Sequence, residues 1–431
     1  MKTLLKKITV SILTWEAKRT LERYKPKIIA VTGSVGKTGT KDAIYAVVSN
    51  SFDTRRSEKS MNSDIGLPLA ILGLENAWSS APGWLWNMWR GVCVAFGNRA
   101  FPDWLLLEVG TDHPGDIEKI SGWLRPDIVV LTCMSEVPVH VEFFKDAEEV
   151  LREKMFLARA LKPGGTLVIN ADDRLFINAA GDLPVKKLFY GREKKADVKI
   201  IETGILYSQT PPDSPLGQYT VMEIKGQKQK IKIEGVIGGH IMYSVAAACA
   251  VASILNIADD LPNVFKHIDL PRGRMRLFAG ISKSVIIDDT YNSSPIASEE
   301  ALKTLQTLSA KGKKIAVLGD MKELGKHSEK AHRDIGRLAG EFVHILVTMG
   351  NMAQDFAQGA REAGLSAERI FSYDTSEEAV QKLPDMVRAD DIILIKGSQA
   401  TRMERVVKAL LKDPSKATNL LVRQEEEWKC R

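Results

Sequence analysis

Thr32-Gly33-Ser34-Val35-Gly36-Lys37-Thr38 puts two glycines, an ammonium and a hydroxyl into seven consecutive residues. Glycine reaches backbone conformations that let successive N–H groups converge on phosphate oxygens, and a helix starting behind them favours negative charge. Lys37 is placed to reach terminal phosphates, with the Thr38 hydroxyl on Mg²⁺. Gly33, Ser34, Gly36, Lys37 and Thr38 are therefore candidate nucleotide-binding residues. Val31 stands where the full G-x-x-x-x-G-K-[ST] pattern has its first glycine, so a glycine turn with a surface lysine is the plain alternative.

Positioning such a loop takes a strand before it and a helix after it. Ile28, Ile29, Ala30 and Val31 form a short β-type run, and Ala43, Ile44, Ala46 and Val47 fit a helix. Further apolar runs at 104–109, 127–132 and 166–170 are separated by helix-length segments, as in a parallel sheet with crossover helices. Ligands gather at the carboxyl ends of such strands, which is where the loop, Glu108, the 132–140 turn and Asn170 all fall. Glu108 there is a candidate Mg²⁺ ligand, or else a strand-end acid paired with a lysine. A β-rich stretch, 197–234, and an Ala-rich helix from Gly238-Gly239-His240 to about Leu255 follow. Strands near 284–288, 314–318, 344–348 and 391–395 make a second α/β unit, and the tail after Lys412 reads as ragged.

The expected fold is α/β: a P-loop-type, mostly parallel central sheet domain followed by a Rossmann-like C-terminal domain. The boundaries are an N-terminal amphipathic helix at 1–26, a central domain at 27–270 with a Trp-rich insertion at 81–104, and a C-terminal domain at 271–431. The N-terminal apolar patch is too short to span a bilayer, so its helix either packs on the domain behind it or lies on a membrane surface. The insertion holds four of the chain's eight tryptophans, with Arg90 and Arg99 among them. A helical pair filling a groove and an interfacial element touching lipid both fit.

A length of 431 residues suggests roughly two to three domains, and 44% hydrophobic with 26% charged residues is ordinary for a globular chain. The net charge of +6 fits a polyanionic small substrate or a membrane surface. Nucleic acid is not indicated, because no basic stripe with interleaved aromatics occurs. Cys93, Cys133, Cys249 and Cys430 lack C-x-x-C spacing, which argues against a disulfide framework or zinc ribbon and for a reducing cytoplasm.

In order, the landmarks resemble the Mur ligase superfamily of ATP-dependent carboxylate–amine ligases. They are Thr32-Gly33-Ser34-x-Gly36-Lys37-Thr38, Asn62-x-Asp64-x-Gly66-x-Pro68, Glu108-x-Gly110, His140-x-Glu142, Lys154, Asn170-Ala171-Asp172-Asp173 and Gly239-His240. Gly273-Arg274, Asp288-Asp289-x-Tyr291-Asn292, Gly319-Asp320-Met321-x-Glu323-Leu324-Gly325 and Lys396-Gly397-Ser398 complete the set. The resemblance implies amide-bond formation through an acyl-phosphate, with ATP and two Mg²⁺ ions. It implies that Thr38, Glu108, His140 and Lys154 serve the metals. Lys154 would do so as a carbamate; by sequence alone it is a solvated helix lysine. Arg274 would reach the ATP phosphates and Asp289 the ribose hydroxyls. Asn170, His240, Tyr291 and Asn292 would lie around the nucleotide and acyl-phosphate. Lys396-Gly397-Ser398 would face the amine, unless it is a plain turn, while Glu323 and His327 default to solvent.

Four positions depart from the family: Asp64 where Glu or Gln is commoner, Ile241 and Ser244 where asparagines contact adenine, and Gln399 in place of arginine. About 27 residues precede the loop, too few for the uridine-nucleotide domain, on the order of a hundred residues, of cell-wall members. The expected substrates are thus a small-molecule or lipid-linked carboxylate, presented near the membrane by Trp84, Trp86 and Trp89, and an amino acid or dipeptide amine. A cytoplasmic, peripherally membrane-associated monomer is the expected form. A poly-γ-glutamate, folylpolyglutamate or amidating ligase, or a non-catalytic nucleotide-binding scaffold, are the alternatives.

Overall fold

A computed structural model describes the chain except residues 1, 59, 60, 62, 79, 112, 135–143, 209–213, 267, 269, 270, 426, 427 and 429–431, with the backbone alone at 2–5. The chain forms two compact units. One comprises Met1–Ile201, Val221–Gln229 and His240–Asp269, the other Glu202–Thr220, Lys230–Gly239 and Leu270–Arg431.

The elements begin with α1 (Lys2–Tyr24), β1 (Lys27–Thr32), α2 (Lys37–Val48), β2 (Thr54–Arg56), α3 (Gly66–Leu72) and α4 (Ala81–Phe96). Then come β3 (Trp104–Glu108), α5 (Asp116–Ser121), β4 (Ile128–Leu131), α6 (Ala147–Arg159), β5 (Thr166–Asn170), α7 (Arg174–Ala180) and β6 (Lys186–Gly191). β7 (Val198–Tyr207), β8 (Pro215–Ile224), β9 (Gln227–Glu234), α8 (Gly239–Leu255) and α9 (Leu261–Lys266) follow.

The first sheet has the order β2-β3-β1-β4-β5-β6-β7-β8-β9. β1 lies between β3 and β4, parallel to both, and all its residues after Lys27 are buried. Burial on both faces explains why it reads as an unbroken apolar run. The register sets Val31 beside Glu108 and Thr32 beside Leu131, so the turns after β1, β3 and β4 open on one edge. Leu105, Leu107, Val129, Leu131, Leu167 and Ile169 anchor the core.

The expectations for 1–26 and 81–104 resolve differently. Leu13, Glu16, Ala17 and Thr20 of α1 are buried, and α1 packs on α3 and α4. The Trp-rich stretch is one helix, α4, and not a pair; Gly97 ends it before the approach to β3. Ser80 caps it and Pro82 sits in its first turn, where a missing N–H costs nothing.

The second unit contains β10 (Arg276–Ala279), β11 (Val285–Asp289), α10 (Pro295–Thr307), β12 (Lys314–Gly319), α11 (Ser328–Gly340), β13 (Ile345–Met349) and α12 (Ala353–Glu362). β14 (Ile370–Tyr373), α13 (Ser376–Met386), β15 (Ile392–Lys396), α14 (Glu404–Leu410) and α15 (Ala417–Leu420) complete it. The order β10-β11-β15-β12-β13-β14 is parallel except for β10, which pairs antiparallel with β11. The tail is not ragged as far as Gln424: Ala417, Leu421 and Val422 are buried and Arg423 is held by hydrogen bonds.

Candidate active site

The loop between β1 and α2 is built by two glycines in conformations that side chains resist. Gly33 has φ +152, and a Cβ there would stand 2.0 Å from Thr132 Oγ1; Gly36, at φ +84, starts α2 with no side-chain cap. Thr132 holds the loop by donating to the Val35 carbonyl at 2.7 Å. One expectation changes here. The Ser34 and Val35 N–H groups point at the Cys133 carbonyl, at 2.7 and 3.4 Å, rather than into an open anion cradle. The Lys37 ammonium folds back on the carbonyls of Gly33 (2.9 Å) and Ser34 (3.3 Å), within the loop it would leave to meet a phosphate.

Thr38 and Glu108 do come together. The Thr38 hydroxyl donates to Glu108 Oε2 at 3.0 Å, across the β1–β3 register. Lys41, one turn along α2, is buried; its ammonium donates to the Ser57 carbonyl at 2.7 Å and lies 3.9 Å from Glu108 Oε2 and 3.6 Å from Asp42. Glu108 thus faces the loop hydroxyl and is also paired with a lysine. Ser57 Oγ accepts the Glu108 N–H, fixing the strand end. Burial pushes the Asp42 carboxyl up, against Lys41 and Arg56, which pull it down.

Lys154 is not a solvated lysine. It sits on α6 and is 3% exposed. Burial drives its ammonium well below the usual lysine range, and the nearby Lys37 charge pushes the same way. Among the described residues no carboxylate lies within ion-pair distance of it. The preceding Glu153 is committed elsewhere, accepting the N–H groups of Gly115, Ile117 and Glu118 at 2.6–3.1 Å at the start of α5.

Asn170 ends β5 and its side chain accepts the Asp172 N–H at 3.0 Å. His240 opens α8, which meets α2 where Ser244 contacts Thr40 (3.2 Å) and faces Gly39. Ser244, which stands in place of a family asparagine, is therefore a helix–helix contact. Tyr243, on the same helix turn, donates to Asp172 at 2.8 Å. His140 lies outside the described residues, as do Asn62 and Glu142.

In the second unit Arg274 stacks over Tyr291, 4.3 Å from the ring centre, and the Gly273 carbonyl accepts the Tyr291 N–H. Lys396, which opens the segment read as an amine-facing loop or a plain turn, itself belongs to a strand. Buried as the last residue of β15, it donates to Asp289 Oδ2 at 2.6 Å and to the Asn292 carbonyl at 3.0 Å. Its ion pair occupies one oxygen of the carboxylate expected at the ribose. Arg423 braces the same turn, donating to the carbonyls of Thr290 (2.9 Å) and Tyr291 and to Glu404 (3.1 Å).

Sequence reading missed Lys41, Lys396 as an ion-pair partner, and Arg423. For Lys41 the signal existed, since i+3 from Thr38 on a helix points to the same face. An adjacent hydroxyl and carboxylate oxygen fit Mg²⁺, which takes oxygen ligands in octahedral array and draws few of them from side chains, the rest coming from water and phosphate. Among the described residues no three His, Cys, Asp or Glu side chains form a metal set; Thr38 and Glu108 are the two members of the candidate set that touch each other.

Residues 94–252 match the Mur ligase middle domain, and residues 273–399 the glutamate ligase domain of Mur ligases. The chain is 27% identical over 408 residues to UDP-N-acetylmuramoyl-tripeptide–D-alanyl-D-alanine ligase of Bacillus subtilis, covering 94% of this chain and 80% of the relative. The ligase of the same name from Buchnera aphidicola is 28% identical over 423 residues, with the same coverage. Among solved structures, MurF ligase from Thermotoga maritima in complex with ADP superposes with TM-score 0.74 at 24% identity, over 93% of this chain and 83% of that one. Mycobacterium tuberculosis folylpolyglutamate synthase gives 0.65 at 16%, over 93% and 96%. These last two likenesses speak for the fold.

Proposed function

The chain belongs to the Mur ligase family, and from that membership we propose an ATP-dependent ligase that joins a carboxylate to an amine through an acyl-phosphate. The observation that carries the reading is the Thr38–Glu108 pair at 3.0 Å beside a glycine loop that holds Lys37.

Phosphoryl transfer is largely positioning and charge neutralisation. Lys37 exchanges its loop carbonyls for β/γ-phosphate oxygens. Thr38 Oγ1 and Glu108 would hold Mg²⁺, which supplies charge neutralisation on the phosphates. A substrate carboxylate oxygen forms a bond to the γ-phosphorus while the β–γ bridging bond breaks, releasing ADP. The amine nitrogen then bonds to the acyl carbon, the carbon–oxygen bond to phosphate breaks, and the amine proton passes to solvent. Arg274, planar and stacked on Tyr291, is assigned to nucleotide phosphate. Asn170, His240 and Asn292 are assigned to the nucleotide and acyl-phosphate surroundings, and the Asp289 oxygen that Lys396 does not take to ribose.

Lys154 is assigned a carbamate. The ammonium first gives up one proton, which its burial favours. The neutral nitrogen then bonds to the carbon of CO₂, one carbonyl π-bond opens and a second proton leaves, and the anion so formed would serve a second Mg²⁺. Its burial, with no carboxylate of the described residues within ion-pair distance, supports that assignment. The acyl substrate we favour is a cell-wall precursor and the amine a D-alanyl-D-alanine-like dipeptide, in the cytoplasm. A folylpolyglutamate-type ligase is the second reading, favoured by the shared fold.

ADP release tests the proposal. Turnover should require both a carboxylate and an amine, fall on depletion of CO₂, and drop about a hundredfold or more in Lys37→Ala with circular dichroism unchanged. Turnover needing neither substrate would make the chain a plain ATPase, and none with any pair would make it a scaffold.

A further inference from the structure

The strongest feature outside the candidate site is an apolar surface made jointly by α1 and α4. On α4, Leu85, Trp86, Trp89, Val92 and Phe96 recur at helical spacing, and all are exposed: Leu85 at 67%, Trp86 at 57% and Trp89 at 56%. The two indoles stack on each other with centres 4.9 Å apart instead of finding cover. Trp15 of α1 continues the surface, its ring 5.8 Å from Phe96, and Ile8 extends it two turns further toward the N-terminus. The opposite face of α4 is spent on the core: Ala95 and Asn87 are buried, and Gly91 lets α1 approach so closely that a Cβ there would fall 1.9 Å from the Glu16 carboxylate. Trp84 turns inward to that core, so it leaves the set of lipid-facing tryptophans read from the sequence.

Charge selects the occupant. Lys6, Lys7, Lys18, Arg19 and Arg23 are exposed on α1 against a single exposed acid, Glu22. From Ala81 to Ala100 there is no acid, only Arg90 and Arg99. Two of these cations lie at the edge of the apolar surface: the Arg19 guanidinium is 5.8 Å from the Phe96 ring centre, and Arg23 donates to the Phe96 carbonyl at 2.9 Å. Among the described residues no helix is long and apolar enough to cross a membrane. Exposed tryptophan and leucine rimmed by lysine and arginine match the chemistry of the headgroup layer, where indoles partition and cations meet anionic phosphates.

We propose that the α1–α4 face docks this protein on an anionic phospholipid bilayer, lying in the interface and not spanning it. The proposal stands apart from the catalytic reading, because binding is measured without nucleotide or substrate.

The test is co-sedimentation of the full chain with phosphatidylcholine–phosphatidylglycerol vesicles and with pure phosphatidylcholine vesicles, followed by tryptophan emission. The expected result is binding to the anionic vesicles, a blue-shifted emission, and weakening by added salt. Trp86→Ser with Trp89→Ser should weaken binding about tenfold or more, since both side chains are exposed and their loss leaves the fold intact. Lys6→Glu with Lys7→Glu should weaken it comparably, each charge counting near the surface. No binding of the wild type overturns the proposal. So does binding equal in both variants, or a self-association on gel filtration with light scattering that Trp86→Ser with Trp89→Ser abolishes while vesicles are ignored; the face would then meet a second copy.

Discussion

Glu16 is a residue whose environment fits its charge poorly. It is fully buried between α1 and α4, and neither carboxylate oxygen has a hydrogen-bond partner among the described residues. Burial pushes its carboxyl from 4.5 up to about 7. The folded chain therefore holds this proton more tightly than the unfolded chain does. No penalty exists below about pH 4.5; it grows as pH rises and is complete above about 7. Glu16→Gln keeps the shape and removes the charge. Its melting temperature relative to wild type should rise between pH 5 and pH 8, by the equivalent of about 2–3 kcal/mol. Equal differences at both pH values would mean the carboxylate is solvated or paired in the folded state.

Among the elements, α6 matters most to the candidate site, because Lys154 rides on it. Glu153 ties α6 to the first turn of α5 by accepting three N–H groups, a use that an ionised carboxylate serves well at a helix N-terminus. Glu153→Ala leaves those donors buried and should cost about 2–4 kcal/mol in urea unfolding. Glu153→Gln, which retains one acceptor oxygen, should cost less than half as much. Equal losses would show that the volume of the side chain, and not its oxygens, sets the position of α6. The strand–turn–helix around Lys37 was legible in the sequence because its signals are local: apolar run, glycines, then helix. The same holds for β3, β4 and β5, whose buried residues are consecutive. β6 and β14 were not legible, being short and only partly buried. Nor was the Lys396–Asp289 pair, which joins residues 107 positions apart, or the grip of Arg423 on the 290–291 turn; no local pattern records which distant carbonyl a guanidinium will reach. Lys154 was legible only through resemblance, since helical spacing alone does not distinguish a buried lysine from a solvated one.

For the whole molecule, two cores imply that unfolding is not a single two-state event. A ligand that binds one folded unit stabilises that unit by mass action, about 2.7 kcal/mol at a hundredfold excess over its dissociation constant. On a unit of roughly two hundred residues that corresponds to a rise of about 5–10 °C. The glycine loop, Thr38 and Glu108 all belong to the first unit, so a nonhydrolysable ATP analogue with Mg²⁺ should raise one calorimetric transition. The same analogue with a chelator should raise it much less, because the oxygen pair contributes through the metal. Lys37→Ala should abolish the shift, whereas Trp86→Ser with Trp89→Ser should keep it in full, since that face lies on α4 and not at the strand ends. A shift that survives Lys37→Ala would place the nucleotide away from the loop and remove the phosphate role assigned to it. A shift lost in the tryptophan variant instead would couple the apolar face to nucleotide binding, and the two surfaces would have to be treated as one machine.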